Sequence, residues 1–365
     1  MHRRVAGGGT EADLRRMACG LAARGHELHV FAADGAASLP GVTLRRVPIV
    51  RAGRLARLLS FALAAPRAVA RERWDLVVGF GRTPRQDVVR VGGGTHRRYL
   101  ARMEAAGLRG HRRGPYHRAI LWLETREFAP GGHRHVLAVS RRVREEIATD
   151  YGVPSAGITV VYNGVDLERF HPSRRATDGP RVRSALGVPA GHRICAAIGT
   201  GFARKGFDVL LRLWREAPPP DTVLVVVGDD ERLARYRREA EALDGRVVLT
   251  GPRDDVGAVL AAADVVCLPS RQEAFGNVVL EACAAGVPVV TSGRVGAAEL
   301  LEGPLATLVV ADPEDTGTLR ATLVRALGCE HGSYATAARA CAERFPWTTH
   351  LDRIERLFSE VARGG

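Results

Sequence analysis

Apolar and polar residues along this chain fall into short blocks whose period switches between that of a strand and that of a helix. In the second half, apolar runs of a few residues recur at 193–199, 223–228, 247–251, 265–268, 287–291 and 305–310. Runs of this kind bounded by glycine or proline predict strands buried on both faces. The stretches between them carry helical periodicity, so the second half predicts a doubly wound parallel sheet.

The first half is less regular. Thr10 reads as the N-cap of a helix over 10–24, with Asp13 three residues on and Leu14, Met17, Ala18 and Leu21 on one face. Strands follow at 27–32 and 42–49, then a basic amphipathic helix over 54–73 and a strand over 75–81. Residues 88–96 form a short strand ending in the glycine-rich loop Gly92-Gly93-Gly94, and 135–140, 141–150 and 158–162 read as strand, helix and strand. A turn like that at 7–9 normally follows a strand, and here only six residues precede it. The first strand is therefore expected to be very short, or the start truncated. Residues 166–190 are polar, rich in Pro, Gly and Arg and without period, and read as the connection between two domains. The length of 365 residues also suits two domains.

Composition narrows the partners. The formal net charge of +13 predicts an anionic one: nucleic acid, a membrane surface or a phosphorylated substrate. No apolar run reaches the length of a membrane span; the best candidate, 58–70, is broken by Pro66 and Arg67. No signal-peptide core is visible at the N-terminus, and the six cysteines show no CxxC or metal-like spacing. A reduced, cytosolic setting is expected. The most basic stretch, 97–128, interleaves eight arginines with Tyr99, Tyr116 and Trp122. It reads either as a solvated helix face or as a peripheral contact with anionic lipid. No recognition module frames it for nucleic acid. One bias is sharper: of 53 Lys and Arg, only Lys205 is lysine, and Asn163 and Asn277 are the only asparagines. Where arginine has replaced lysine everywhere else, the surviving lysine marks a position needing a compact ammonium.

The chemistry gathers at the predicted carboxyl ends of the second-half strands, where parallel sheets bind ligands. Arg204 and Lys205 follow the first of these strands, Gly228 the second, Arg253 the third and Glu273 the fourth. Gly199-Thr-Gly201 lacks the third glycine of a dinucleotide fingerprint, and no Walker loop, DxD or HExxH is present. Asp229-Asp230 reads as a helix N-cap rather than a metal ligand pair. Arg204-Lys205-Gly206 is expected to open a helix, setting two cations beside helix amides, which suits a diphosphate. From Ser270 to Gly286 a loop carrying Glu273 leads into an apolar helix carrying Asn277 and, in its second turn, Glu281. A carboxylate on an apolar helix needs a partner. Either an arginine supplies one, or the glutamates accept hydrogen bonds from a phosphorylated polyol.

Arg204-Lys205-Gly206, Gly251-Pro252-Arg253 and the pair Glu273 and Glu281 together resemble the retaining GT-B glycosyltransferases of family 4. Asn163-Gly164-Val165-Asp166 is similar to the loop with which that family closes its first domain. The likeness runs over nearly the whole chain. It is nearest to the bacterial lipopolysaccharide core (heptose) glucosyltransferases, through 79–88, 202–208 and 272–281. It implies an α/β GT-B fold: two Rossmann-like doubly wound domains facing across a cleft, the N-terminal strand truncated. Their implied bounds are 1–165 on the acceptor side, a linker over 166–190, a nucleotide-sugar domain over 191–345 and a final helix over 346–365 packing back on the first domain. It implies further that Arg204 and Lys205 hold the diphosphate of a UDP-sugar, that Arg253's loop faces the uracil and that Glu281 binds the ribose. Glu273, with the amides of Ala274, Phe275 and Gly276, would bind the hexose, and Gly8, Gly9 and Asp13 would line the cleft. His96 and Asp87 are implied as sugar or acceptor contacts. Asn277 departs from the usual apolar residue and is a candidate for altering donor choice. The same family implies transfer of glucose to a lipopolysaccharide core or other lipid-linked saccharide, without metal or cofactor, at the inner face of the cytoplasmic membrane through 97–128. Mannosyl transfer to a lipid carrier, or a degenerate lipid-binding protein, are the alternatives.

Overall fold

The computed structural model describes residues 9–34, 38–108, 114–328 and 331–364. The chain forms two compact units, Met1–Tyr162 with Thr348–Gly365, and Asn163–Trp347.

The first unit is built on parallel strands. β1 (Leu28–Ala32) pairs with β2 (Val42–Arg46), and a separate sheet runs β3 (Val78–Gly79), β4 (Val88–Val91), β5 (His135–Ala138), β6 (Ile158–Val160) in that spatial order. Helix Gly9–Ala22 buries the four residues expected from its pattern and Asp13 besides. It starts at Gly9, so Thr10 lies inside its first turn instead of capping it. The strand expected before Gly7, and Gly8 itself, lie outside the described residues. Helix Gly53–Val69 uses two faces: Phe61 and Ala65 pack toward Phe31 and Val47, while Leu58 and Ala62 pack on Ile120 and Leu123 of helix Pro115–Phe128. Its Pro66 sits in the last turn, and the helix ends three residues on, at Val69. The final helix, Trp347–Arg363, returns to this unit. Leu351 fills the space left by Gly20, and Arg24 bridges Asp352 and Glu355 at 2.7 Å each.

The second unit carries the six-stranded parallel sheet. Its order is β12 (Val309–Val310), β11 (Val289–Ser292), β10 (Val265–Leu268), β7 (Arg193–Ile198), β8 (Thr222–Val227), β9 (Val247–Gly251). The chain winds outward one way from β7 and the other way from β10, so the switch point lies between those two strands. In an open parallel sheet this is where the crevice forms. Strands β7, β8 and β10 are almost wholly buried, as their unbroken apolar runs require.

Two expectations change. Residues 305–310 are mostly a 3-10 turn, Gly303–Leu308, and only Val309–Val310 pair as strand. Residues 166–190 are not irregular throughout, for Arg174–Ala185 is a helix despite Pro180. Its apolar pattern is faint because polar contacts hold it. Buried Asp264 accepts from Arg175 at 2.6 Å, from the Ile194 amide at 2.8 Å and from Arg183. Gly179 lets the helix approach the Ala261 carbonyl. Burial works to raise the Asp264 pKa, but the Ile194 amide and the two arginines hold it below the usual carboxylate range.

A carboxylate with a depressed native pKa contributes stability above its unfolded value, and that contribution is lost as pH falls through the native one. Asp264→Ala is expected to lower the unfolding free energy by about 3 kcal/mol at neutral pH, leaving two arginines without their buried partner. In urea titrations the gap between wild type and variant should narrow as pH falls below about 4.

Candidate active site

The switch point of the second unit is lined by the loops after β7 and β10. After β7 the chain makes a four-residue helix, Phe202–Lys205, between Gly201 and Gly206, both left-handed at φ 74° and 73°. Arg204 and Lys205 therefore end this short helix; the longer helix Phe207–Glu216 begins only after Gly206. That corrects the expectation that the two cations open a helix. Gly199 stands where a β-carbon would collide with the Lys205 side chain, so the glycine makes room for the lysine. Gly228, after β8, packs against the Gly199 carbonyl so closely that no side chain fits, and its amide reaches the Gly251 carbonyl at 3.0 Å.

Glu273 gathers the cations. Its Oε2 accepts from Arg204 Nη1 at 2.7 Å and from Lys205 Nζ at 2.8 Å. Arg204 Nη1 also reaches the Gln272 carbonyl at 2.9 Å. The loop is pinned on its other side, where the Glu273 amide donates to the Arg294 carbonyl and the Gly296 amide to the Glu273 carbonyl. Burial works to raise the Glu273 pKa, yet Arg204 and Lys205 outweigh it and hold the carboxylate down at about 2. Burial, joined by the charge of Arg204, lowers the pKa of Lys205, with Glu273 and Glu281 acting the other way. The result is a charged triad with one carboxylate between two cations, a net positive centre in a buried setting.

Past Glu273, Ala274 and Phe275 are buried and Gly276 takes φ 90°, which turns the chain into helix Asn277–Ala284. Glu281 lies in the second turn, half-buried. The two asparagines of the chain meet here, Asn163 Nδ2 donating to Asn277 Oδ1 at 2.7 Å. Asn277 thus ties the loop at 163–166 to the first turn of the helix. Arg253, after β9, is held as a bidentate pair by Asp255 at 2.7 and 2.6 Å.

In the first unit Gly9 is exposed at the start of its helix, while Asp13 is buried and accepts from Arg90 of β4 at 3.1 Å. His96 opens helix His96–Ala105 beyond the carboxyl end of β4 and faces a cavity of about 390 Å³. Asp87 is not brought near it. It precedes β4, at the amino end of the strands, and accepts from the Val77 amide at 2.7 Å with Arg134 3.6 Å away. That position serves strand pairing and does not support a substrate contact.

The comparisons with known proteins follow this geometry. The sequence profile described as Glycosyltransferase Family 4 matches residues 7–169, and that described as Glycosyl transferases group 1 matches 192–328. The chain belongs to glycosyltransferase family 4. It is 26% identical over 364 residues to the lipopolysaccharide glucosyltransferase WaaG of Escherichia coli, covering 98% of this chain and 96% of that one. It is 33% identical over 239 residues to a GDP-mannose-dependent phosphatidylinositol monomannoside mannosyltransferase of Mycolicibacterium smegmatis, of whose length it spans 62%. The crystal structure of WaaG superposes with a TM-score of 0.83 at 24% identity, over 98% of both chains. That of Anabaena Alr3699/HepE with UDP and glucose superposes at 0.73 and 21% identity, again over 98% of both chains. These likenesses show the GT-B fold.

One residue that builds this candidate site escaped the sequence reading. Arg271, 3% exposed, uses all its donors: Asp208 at 2.7 and 2.9 Å, Glu314 at 2.6 and 3.0 Å, and the Ala203 carbonyl. Its own amide donates to the Arg204 carbonyl at 2.9 Å. It fastens the turn that carries Arg204 and Lys205 to the loop that carries Glu273. Its rigid fork suits this task as no lysine would. The only sign in the sequence was its place two residues before Glu273, one arginine among 52.

Arg271→Met removes the cation between Asp208 and Glu314 and should lower the unfolding free energy by about 3–5 kcal/mol. Amide exchange of residues 203–206 should quicken by more than the global loss accounts for; equal change across the unit would contradict the clamp.

Proposed function

We propose that this chain is a retaining glycosyltransferase that moves glucose from UDP-glucose to a lipopolysaccharide core or other lipid-linked saccharide. The observation that carries the reading is the triad of Arg204, Lys205 and Glu273 at the switch point, with Glu281 one loop and two helical turns away. Two cations in a buried site stabilise a departing diphosphate without water having to reorganise. Lys205 and Arg204 would turn from Glu273 toward the UDP phosphates, freeing the carboxylate to accept from hexose hydroxyls. Glu281 would take the ribose hydroxyls, and Arg253's loop would face the uracil.

In the step itself, the acceptor hydroxyl oxygen forms a bond to the anomeric carbon on the face that the diphosphate leaves. The carbon–oxygen bond to UDP breaks, and the hydroxyl proton passes to the leaving phosphate. This needs no protein nucleophile and keeps the configuration. With protein cations carrying the charge, the reaction is proposed to run without metal or cofactor, the UDP-sugar being a co-substrate.

The membrane part of the reading rests on the first unit. No helix among the described residues is long and apolar enough to cross a membrane. Helix Pro115–Phe128 instead exposes Trp122, 47% accessible, with Arg126 stacked on its ring at 4.5 Å. An indole beside a guanidinium suits the headgroup level of an anionic bilayer. The protein would then work as a peripheral cytoplasmic enzyme. The mannosyltransferase relative supports a second reading, the same chemistry with GDP-mannose as donor.

Lys205→Ala should cut UDP-glucose turnover by about 10²–10³-fold, while circular dichroism shows the fold kept. Glu281→Ala should weaken UDP binding by about tenfold in calorimetry. Wild-type turnover in both variants would remove the site assignment, and turnover with GDP-mannose alone would favour the second reading. Trp122→Ala should reduce sedimentation with vesicles containing anionic phospholipid and leave UDP affinity unchanged.

A further inference from the structure

The cavity in the first unit is only partly explained by His96. It lies beyond the carboxyl end of β4, with Gly92, Gly93 and Gly94 on one side and helix Pro115–Phe128 on the other. Its volume of about 390 Å³ is that of a small-molecule site.

Helix Pro115–Phe128 brings two buried glutamates to this cavity, three residues apart and so on one face. Their situations are opposite. Glu124 is fully engaged: it accepts from the His96 amide at 2.5 Å, the Arg97 amide at 3.1 Å, Arg82 at 3.4 Å and the Tyr151 hydroxyl. It caps helix His96–Ala105 from outside that helix. Glu127 is 3% exposed, and its Oε1 has no hydrogen-bond partner among the described residues. A buried oxygen left this way in a native fold calls for an explanation. Burial, reinforced by Glu124 and opposed by Arg82, pushes Glu127 up to about 8. At neutral pH it therefore keeps its proton and offers both a donor and an acceptor.

A pair of histidines stands at the same cavity. His96 Nε2 and His117 Nδ1 lie 3.0 Å apart with rings parallel within 4°. Burial, with the charges of Arg82 and His117, draws His96 down to about 3, so its ring is uncharged. The arginines present are engaged with protein: Arg90 with Asp13, Arg82 with Glu124, and Arg54 over the Tyr116 ring at 4.8 Å. What remains for a ligand is the protonated Glu127 carboxyl, the uncharged His96 ring and aromatic faces. Those are the groups that receive a ring of hydroxyls with one apolar face.

We propose that this cavity seats an uncharged glycosyl ring of the acceptor, and that Glu127 fixes its orientation through a ring hydroxyl. The assignment rests on the glycosyl-transfer reading and adds a residue which that reading lacked.

The test uses the full chain, with lipid-free inner-core oligosaccharide followed by saturation-transfer NMR and UDP followed by calorimetry in the same preparations. Glu127→Ala is expected to weaken oligosaccharide binding by about tenfold, the effect of losing one buried hydrogen-bonding group. Glu127→Gln, which keeps a donor and an acceptor, should weaken it less. UDP affinity should stay at the wild-type value in both. Gly93→Leu gives an independent arm, because Gly93 lines the cavity and a β-carbon there meets nothing within 4 Å. It too should lose oligosaccharide and keep UDP. Oligosaccharide binding at wild-type strength in both Glu127→Ala and Gly93→Leu would overturn the proposal, as would displacement of the oligosaccharide by inorganic phosphate. Absence of UDP binding to the wild type, with the oligosaccharide effects intact, would instead sink the transferase reading and leave the cavity assigned.

Discussion

One carboxylate shared by two cations organises the second unit's candidate site. Glu273 is largely withdrawn from water, its side chain 15% exposed, and a charge so placed is tolerable only when paired and hydrogen-bonded. Arg204 and Lys205 supply the pairing, and both come from a turn that two glycines permit. Behind them Arg271 fastens that turn to Asp208 and Glu314 with every donor it has. The loops after β7 and β10 are thus one object, held by charge across the point where the sheet's winding reverses. The same ion pairs that keep the empty site folded are those a diphosphate would exchange for its own oxygens. On the proposed function, stability and affinity would draw on the same groups.

Much of this was legible in the residues. Unbroken apolar runs gave the central strands of the second unit, because strands covered on both faces leave no polar side to confuse the period. The lone lysine and Glu273 were legible through rarity and spacing, and the two are hydrogen-bonded at 2.8 Å. The first half was harder to read, since its strands are short and its helices carry arginine on nearly every exposed turn. The helix Arg174–Ala185 was missed because it is anchored by arginines on Asp264, and an ion pair leaves no periodic trace. Asp87 stands at the amino end of β4, and a motif carries no information about which end of a strand its residue occupies.

The asparagines show the limit of arguing from rarity. Both were marked as survivors of a compositional bias, and Asn277 was placed against a donor sugar. The structure has them bonded to each other. Rarity identified positions where an amide is needed, but the need Asn277 meets here is a cross-link between a loop and a helix start. Glu127 is the reverse case. Nothing in the sequence separated it from Glu124, three residues earlier in a basic stretch; only the unequal supply of donors around the two distinguishes them.

The replacement of lysine by arginine has a chemical consequence. With Lys205 as the chain's one lysine, the site holds the only side-chain amine in the molecule. Guanidinium groups do not acylate under conditions that modify amines, because they stay protonated at any ordinary pH. Burial shifts Lys205 toward its nucleophilic neutral form, while its bond to Glu273 and its small exposure shield it. An amine-directed reagent therefore has a single internal address on this protein. On the proposed function, a bound diphosphate would compete for that same amine.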